Sequence, residues 1–353
     1  ENPEKYRLEQ PKNLYPSMDQ GSVLNEKIKI SKEIEKLKKF KQKELTKKQQ
    51  NTYMVLMDYL RRQKNLSMYP YYERILGKTS GQQAQILLTL SEYRLKNEKD
   101  IKSYFQLLKG LDGYFDSLIE YSKEQVKRNL FLSDQSLKEV LQQIQNVIKQ
   151  KENNMLVATF NLRIADIKGI NAAQKKKYCR ENKKLIGTKV LPAYEKLYSH
   201  LQALNGNGKN ENGLYYYKNG KEYYKVLVAQ KTGSDKTIEE MIEISDRSIE
   251  KCLRKLIKLQ KKYPNIINEY RNHKKNIKIV QNPQNILNKL RQKMVKYYPK
   301  APKVSCKIKY VHKTMEEYTS PAFYMVPEID SYKENVIYIN KAQTAELYPT
   351  LAH

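Results

Sequence analysis

The chain has 353 residues, with 67 lysines and arginines against 38 acidic residues and three cysteines. That length exceeds the usual single-core size and predicts two packed subregions. Cys179, Cys252 and Cys306 form no C-x-x-C pair, which excludes a disulfide framework or a zinc knuckle, and no apolar run approaches the ~20 residues that span a bilayer.

The net charge of +29 has two readings. Functionally, it describes a surface that attracts nucleic acid, anionic lipid or acidic wall polymer. The plainer reading is a solvated basic surface, because the lysines are scattered along helices and accompany abundant Asn, Ile and Tyr. The polar start Glu1-Asn2-Pro3 has no signal-peptide core, so the expected location is cytoplasmic, or the cell envelope or exterior if a leader has been removed.

In chain order, Ile30, Ile34 and Leu37 mark a lysine-rich helix. Gly77-Lys78-Thr79-Ser80 has the tail of a phosphate-binding loop, but the required earlier glycine is Tyr72, so no phosphate cradle follows. Ile101, Tyr104, Phe105 and Leu108 mark a second helix. Leu137, Val140, Leu141, Ile144, Val147 and Ile148 fall on one face of a third, with Ser133 or Asp134 available to cap it. The glycine- and asparagine-rich stretch 205–213 is turn chemistry throughout and divides the helical array.

Beyond it, Tyr215, Tyr216, Tyr217, Tyr223 and Tyr224 are able to stack bases or sugars, but more often such tyrosines bury the ring and leave the hydroxyl at the surface. Thr237 with Glu240 forms a capping box before Ile238, Met241, Ile242, Ser245 and Ile249, in a helix that continues through Leu253, Leu256 and Ile257. Its basic stretch 251–262 suits an anionic polymer, or an amphipathic helix whose lysines face water. After residue 300 the period changes from 3.6 to 2: Val304, Cys306, Ile308 and Tyr310 alternate with polar residues, and 322–325 and 336–339 are further strand candidates.

These readings predict a mainly α fold, a multi-helix array with a small β element near the end. Strands are expected at 304–311, 322–326 and 335–340. The expected organisation is a helical region over 1–204, a loop over 205–213, a second helical region over 214–300, and a β element over 301–353. His200, His273 and His312 lack H-x-x-x-H spacing and read as surface or capped histidines. His353 differs by context, because strand, turn and a histidine opening a helix is how many zinc peptidases begin their metal-binding helix.

The run Ser320-Pro321-Ala322-Phe323-Tyr324-Met325, continuing to Asn340, and the later Thr350-Leu351-Ala352-His353 closely resemble the bacterial family of domain of unknown function (DUF) 885. Leu130-Phe131-Leu132-Ser133-Asp134, Pro192-Ala193-Tyr194-Glu195-Lys196, Gly220-Lys221-Glu222-Tyr223-Tyr224 and Thr232-Gly233-Ser234-Asp235-Lys236 add to the resemblance, which spans the chain from about Tyr53 onward. It implies a helical zinc-dependent peptidase with an H-E-x-x-P-G-H-like motif. By the resemblance His353 is the first metal ligand, and Ala322, Phe323 and Tyr324 form an edge strand beside the cleft that pairs with an extended peptide substrate. The motif's glutamate and second histidine do not occur here, so the sequence reads as the front part of such a hydrolase, inactive alone and without stably bound zinc. The alternative is a non-catalytic helical module whose basic surface holds nucleic acid or an anionic wall polymer. Oligomeric state is not legible.

Overall fold

The structure, a computed structural model, describes residues 14–78, 81–151, 154–208, 212–265, 267–269, 271–272, 282–299, 304–311, 313, 316, 319–325, 334–342 and 347–353. His273, His312, Thr79, Ser80 and part of the 320–340 run lie outside them. The chain divides into two compact units, Pro11–Glu243 and Ile244–His353, and the 205–213 loop lies inside the first.

The first unit is helical: α1 (Gln20–Lys38), α2 (Lys47–Leu66), α3 (Gln82–Ser91), α4 (Glu98–Lys127), α5 (Asp134–Lys149), α6 (Met155–Ala165), α7 (Ala172–Leu185), α8 (Leu191–Ala203) and α9 (Gly220–Thr232). α4 is the central rod. Asn97 caps its start and Glu98 and Asp100 complement its dipole there. Ile101, Tyr104, Phe105, Leu108, Leu111 and Phe115 bury one stripe of it, which packs against α8. The α5 stripe is buried as its spacing requires, at Leu137, Val140, Ile144 and Val147. Ser133 is the cap, accepting from the Ser136 N–H, while Asp134 Oδ1 accepts from the backbone N–H groups of Gly206 and Gly208 and so anchors the glycine-rich loop.

Between α7 and α8 the helix widens to a π turn over Ile186–Val190. Pro192 explains it: proline has no N–H, and its ring crowds the carbonyl four residues back, which the wider turn relieves.

The segment joining α2 to α3 enters the interior, where its carbonyls need donors. Three glutamines of helices and one tyrosine supply them. Gln125 Nε2 donates to Tyr71 O (2.8 Å) and Glu73 O (3.0 Å), Gln83 Nε2 to Gly77 O (2.6 Å), and Tyr121 OH to Glu73 O (3.3 Å). Gln143 Nε2 donates to Lys78 O (3.0 Å), so the stretch that mimics a phosphate loop presents tied carbonyls.

Helix α10 (Ile238–Lys262) begins in the first unit and continues into the second, where α11 (Pro283–Met294), β1 (Ser305–Tyr310), β2 (Ala322–Met325), β3 (Glu334–Ile339) and α12 (Leu347–Ala352) follow. The predicted capping box forms: Thr237 N–H donates to Glu240 Oε2 (2.7 Å), and the Glu240 N–H to Thr237 Oγ1 (3.1 Å). Among the described residues strands occur only in these three segments, and no helix is long and apolar enough to cross a membrane.

Candidate functional site

The three strands form one sheet in the order β1-β3-β2, with β1 parallel and β2 antiparallel to β3. In the β2 register Ala322 pairs Ile339, Phe323 pairs Tyr338, Tyr324 pairs Ile337 and Met325 pairs Val336. Alternation sends neighbouring side chains to opposite faces. Ala322 lies in an apolar cluster formed around Ile286, Ile339 and Leu347, with Ile308, Ile337, Tyr348 and Leu351 packed on it. Phe323 stacks on Tyr338 with centroids 5.2 Å apart, and Lys309 Nζ lies 5.8 Å from the same ring. Tyr324 is half exposed, and its hydroxyl donates to Asn335 Oδ1 at 2.6 Å. All three residues predicted to bind substrate, then, use their side chains within the sheet, Tyr324 through its bond to Asn335 of β3. What β2 offers outward is backbone, since it lies at the sheet edge.

Asn340, which sequence reasoning did not single out, fixes that edge. It is fully buried, and its Nδ2 donates to Glu316 O (2.6 Å) and Thr319 O (3.1 Å), while its N–H donates to Pro321 O (2.9 Å). Its Oδ1 accepts from the Ala342 N–H at 3.0 Å. One amide thus ties the approach to β2 to the exit of β3. The available signal was a polar residue directly after an apolar strand.

His353 does not open a helix, as the sequence suggested. The helix begins at Leu347, with Pro349 tolerated in its first turn, and the His353 N–H donates to Pro349 O at 3.0 Å, a helical bond to the residue four before it. The imidazole is exposed, two residues after Leu351, which packs on the same apolar cluster as Ala322. A zinc site needs about three protein ligands. Among the described residues no group of three or more His, Cys, Asp or Glu side chains is placed to hold a metal, so they do not by themselves fit a zinc ion. Cys306, on β1, is a half-buried thiol whose pKa is raised by burial.

The other candidates separate. Tyr223 is buried and Tyr217 half buried, its hydroxyl donating to Leu130 O at 3.1 Å, whereas Tyr215, Tyr216 and Tyr224 are exposed. His200 is exposed in the last turn of α8.

The sequence over residues 9–352 matches the family described as bacterial protein of unknown function (DUF885). The chain belongs to the DUF885 family. A crystal structure described as "the putative lipoprotein from Colwellia psychrerythraea" is similar, with a TM-score of 0.78 at 14% identity over 94% of this chain. At that identity the likeness is one of fold alone. The chain spans 62% of the length of that protein. No curated protein matches.

Proposed function

We propose that this DUF885 chain is the substrate-holding portion of a zinc-type peptide-bond hydrolase. The observation that carries the reading is the sheet order: β2 lies at an edge, pinned by Asn340, and shares an apolar cluster with the helix that leads into His353. An extended peptide adding to Ala322–Met325 as a further strand would gain main-chain hydrogen bonds from the edge, with Tyr324 as the exposed side chain beside it. His353 offers one imidazole nitrogen as a metal ligand. Zinc, where a protein holds it with about three ligands, supplies an activated water; this chain's own part is to bind and orient the peptide. Among the described residues no group of three or more His, Cys, Asp or Glu side chains is placed to hold a metal, so the 353 residues alone are expected to show no zinc-dependent hydrolysis.

The test is hydrolysis of quenched fluorescent peptides by the natural gene product that carries these residues. Activity removed by chelation, restored by zinc and lost in His353→Ala supports the reading. Retention of full activity in His353→Ala, or no peptide turnover with zinc supplied, overturns it.

A second reading rests on Arg247, Lys251, Arg254, Lys255 and Lys258 along one shallow depression of α10, which also holds Glu250, ion-paired to Arg254 at 2.5 Å. That strip suits an anionic polymer such as nucleic acid or wall polymer. Polymer affinity falling steeply with salt, through counterion release, would favour it.

A further inference from the structure

Helix α10 is about 37 Å long at 1.5 Å per residue, and it buries none of its residues. Ile242, Ile249, Leu256 and Leu259 are each about half exposed, at 54%, 56%, 48% and 46%. Their spacing is not random. From Ile238 to Tyr263 the residues on this line succeed one another at alternating intervals of four and three, the a/d seam of a coiled coil. An amphipathic helix over this length with no partner among the described residues leaves its favourable burial unrealised.

Charge along the helix says what the partner is. The first half carries Glu239, Glu240, Glu243, Asp246 and Glu250 against Arg247 alone; the second carries Lys251, Arg254, Lys255, Lys258, Lys261 and Lys262 with no acid. A second copy laid antiparallel sets each acidic half against a basic half, whereas a parallel copy sets like against like. One antiparallel register also matches every seam position. Ile238 then faces Tyr263 of the second copy, Ile242 faces Leu259, Ser245 faces Leu256 and Ile249 faces Cys252, and each pair recurs by symmetry.

We infer that α10 pairs with α10 of a second copy of this chain, antiparallel across a two-fold axis between residues 250 and 251. The overall charge of +29 per copy opposes association and is screened by salt, so the apolar seam holds best at high ionic strength. The exposed thiol of Cys252 sits in the central layers of this interface.

Light scattering of the 353-residue chain at high salt should give twice 41.8 kDa. Ile249→Glu and Leu256→Glu, each on an exposed face, should each give monomer with unchanged helical circular dichroism. Orientation is read by disulfide trapping in protein with Cys179, Cys252 and Cys306 replaced by serine. A mixture of Ile242→Cys and Leu259→Cys chains should form the mixed covalent dimer, and Ile242→Cys alone should not. Trapping of Ile242→Cys with itself would mean a parallel pair and overturn the proposal. So would a monomeric parent chain, whether its α10 amides are protected from hydrogen exchange by another segment of the same chain or exchange freely.

Discussion

Gln125 is an amide that a sequence reading passes over, on a helix face otherwise occupied by Leu118, Tyr121 and Ser122. Its two hydrogen bonds satisfy the buried Tyr71 carbonyl and the partly buried Glu73 carbonyl of the segment between α2 and α3. Tyr71 itself is buried with φ of 70°, a left-handed conformation that costs energy for a residue with a side chain, and Arg128 lies 4.4 Å over its ring. The loop is therefore held against local strain by the donors aimed at it. Gln125→Leu keeps the volume but leaves the buried Tyr71 carbonyl without its donor, which costs about 1–3 kcal/mol, while Glu73 O keeps Tyr121 OH. A lowered urea midpoint at unchanged slope is the expected result; an unchanged midpoint would show that the loop carbonyls find other donors.

At the scale of elements, α5 and α10 carry the same kind of signal and meet different fates. Both are amphipathic and both are capped as their sequences foretell, yet the α5 stripe is buried and the α10 stripe is not. Periodicity fixes which face is apolar, and says nothing of what covers it. β2 shows a related dependence: four residues long, it owes its position to β3 on one side and to the Asn340 amide at its entry. Asn340→Ala removes donors from Glu316 O and Thr319 O and should free the edge. Faster hydrogen exchange confined to Ala322–Met325 and the residues before it, with the helices of the first unit unaffected, is the expected pattern. Uniform exchange across the whole chain would mean that Asn340 supports global folding instead.

For the whole molecule, the 29 tyrosines govern behaviour at high pH. Burial pushes Tyr104, Tyr114 and Tyr223 up to about 12, and Tyr15, Tyr121 and Tyr194 are raised by burial as well. The unfolded chain releases these protons near pH 10, so it binds fewer protons than the folded chain above that value. Their contribution to stability is whole below about pH 10 and is lost as pH rises toward about 12. Absorbance at the phenolate band should therefore show a steep late phase that coincides with loss of helical dichroism. A single smooth titration completed with helicity intact would refute the buried class.

The sequence by itself determined the fold class, because the change from a 3.6 to a 2 period after residue 300 is a local property and the strands fall at Ser305–Tyr310, Ala322–Met325 and Glu334–Ile339. It also carried the caps at Ser133 and Thr237, which depend on residues three apart. The resemblance placed the chain in its family through residues quoted from the sequence itself. Only the tertiary structure decided which strand lies in the middle, since β1 reaches β3 past β2 and a pairing order is set by long-range contacts, not by alternation. The same holds for Gln125 and Asn340, ordinary polar residues in the sequence whose roles exist because distant carbonyls are brought to them. His353 shows the limit from the other side: its place after a strand was legible, but the helix starts six residues earlier, at Leu347, because Leu347 and Leu351 find the cluster around Ile286 and Ile339.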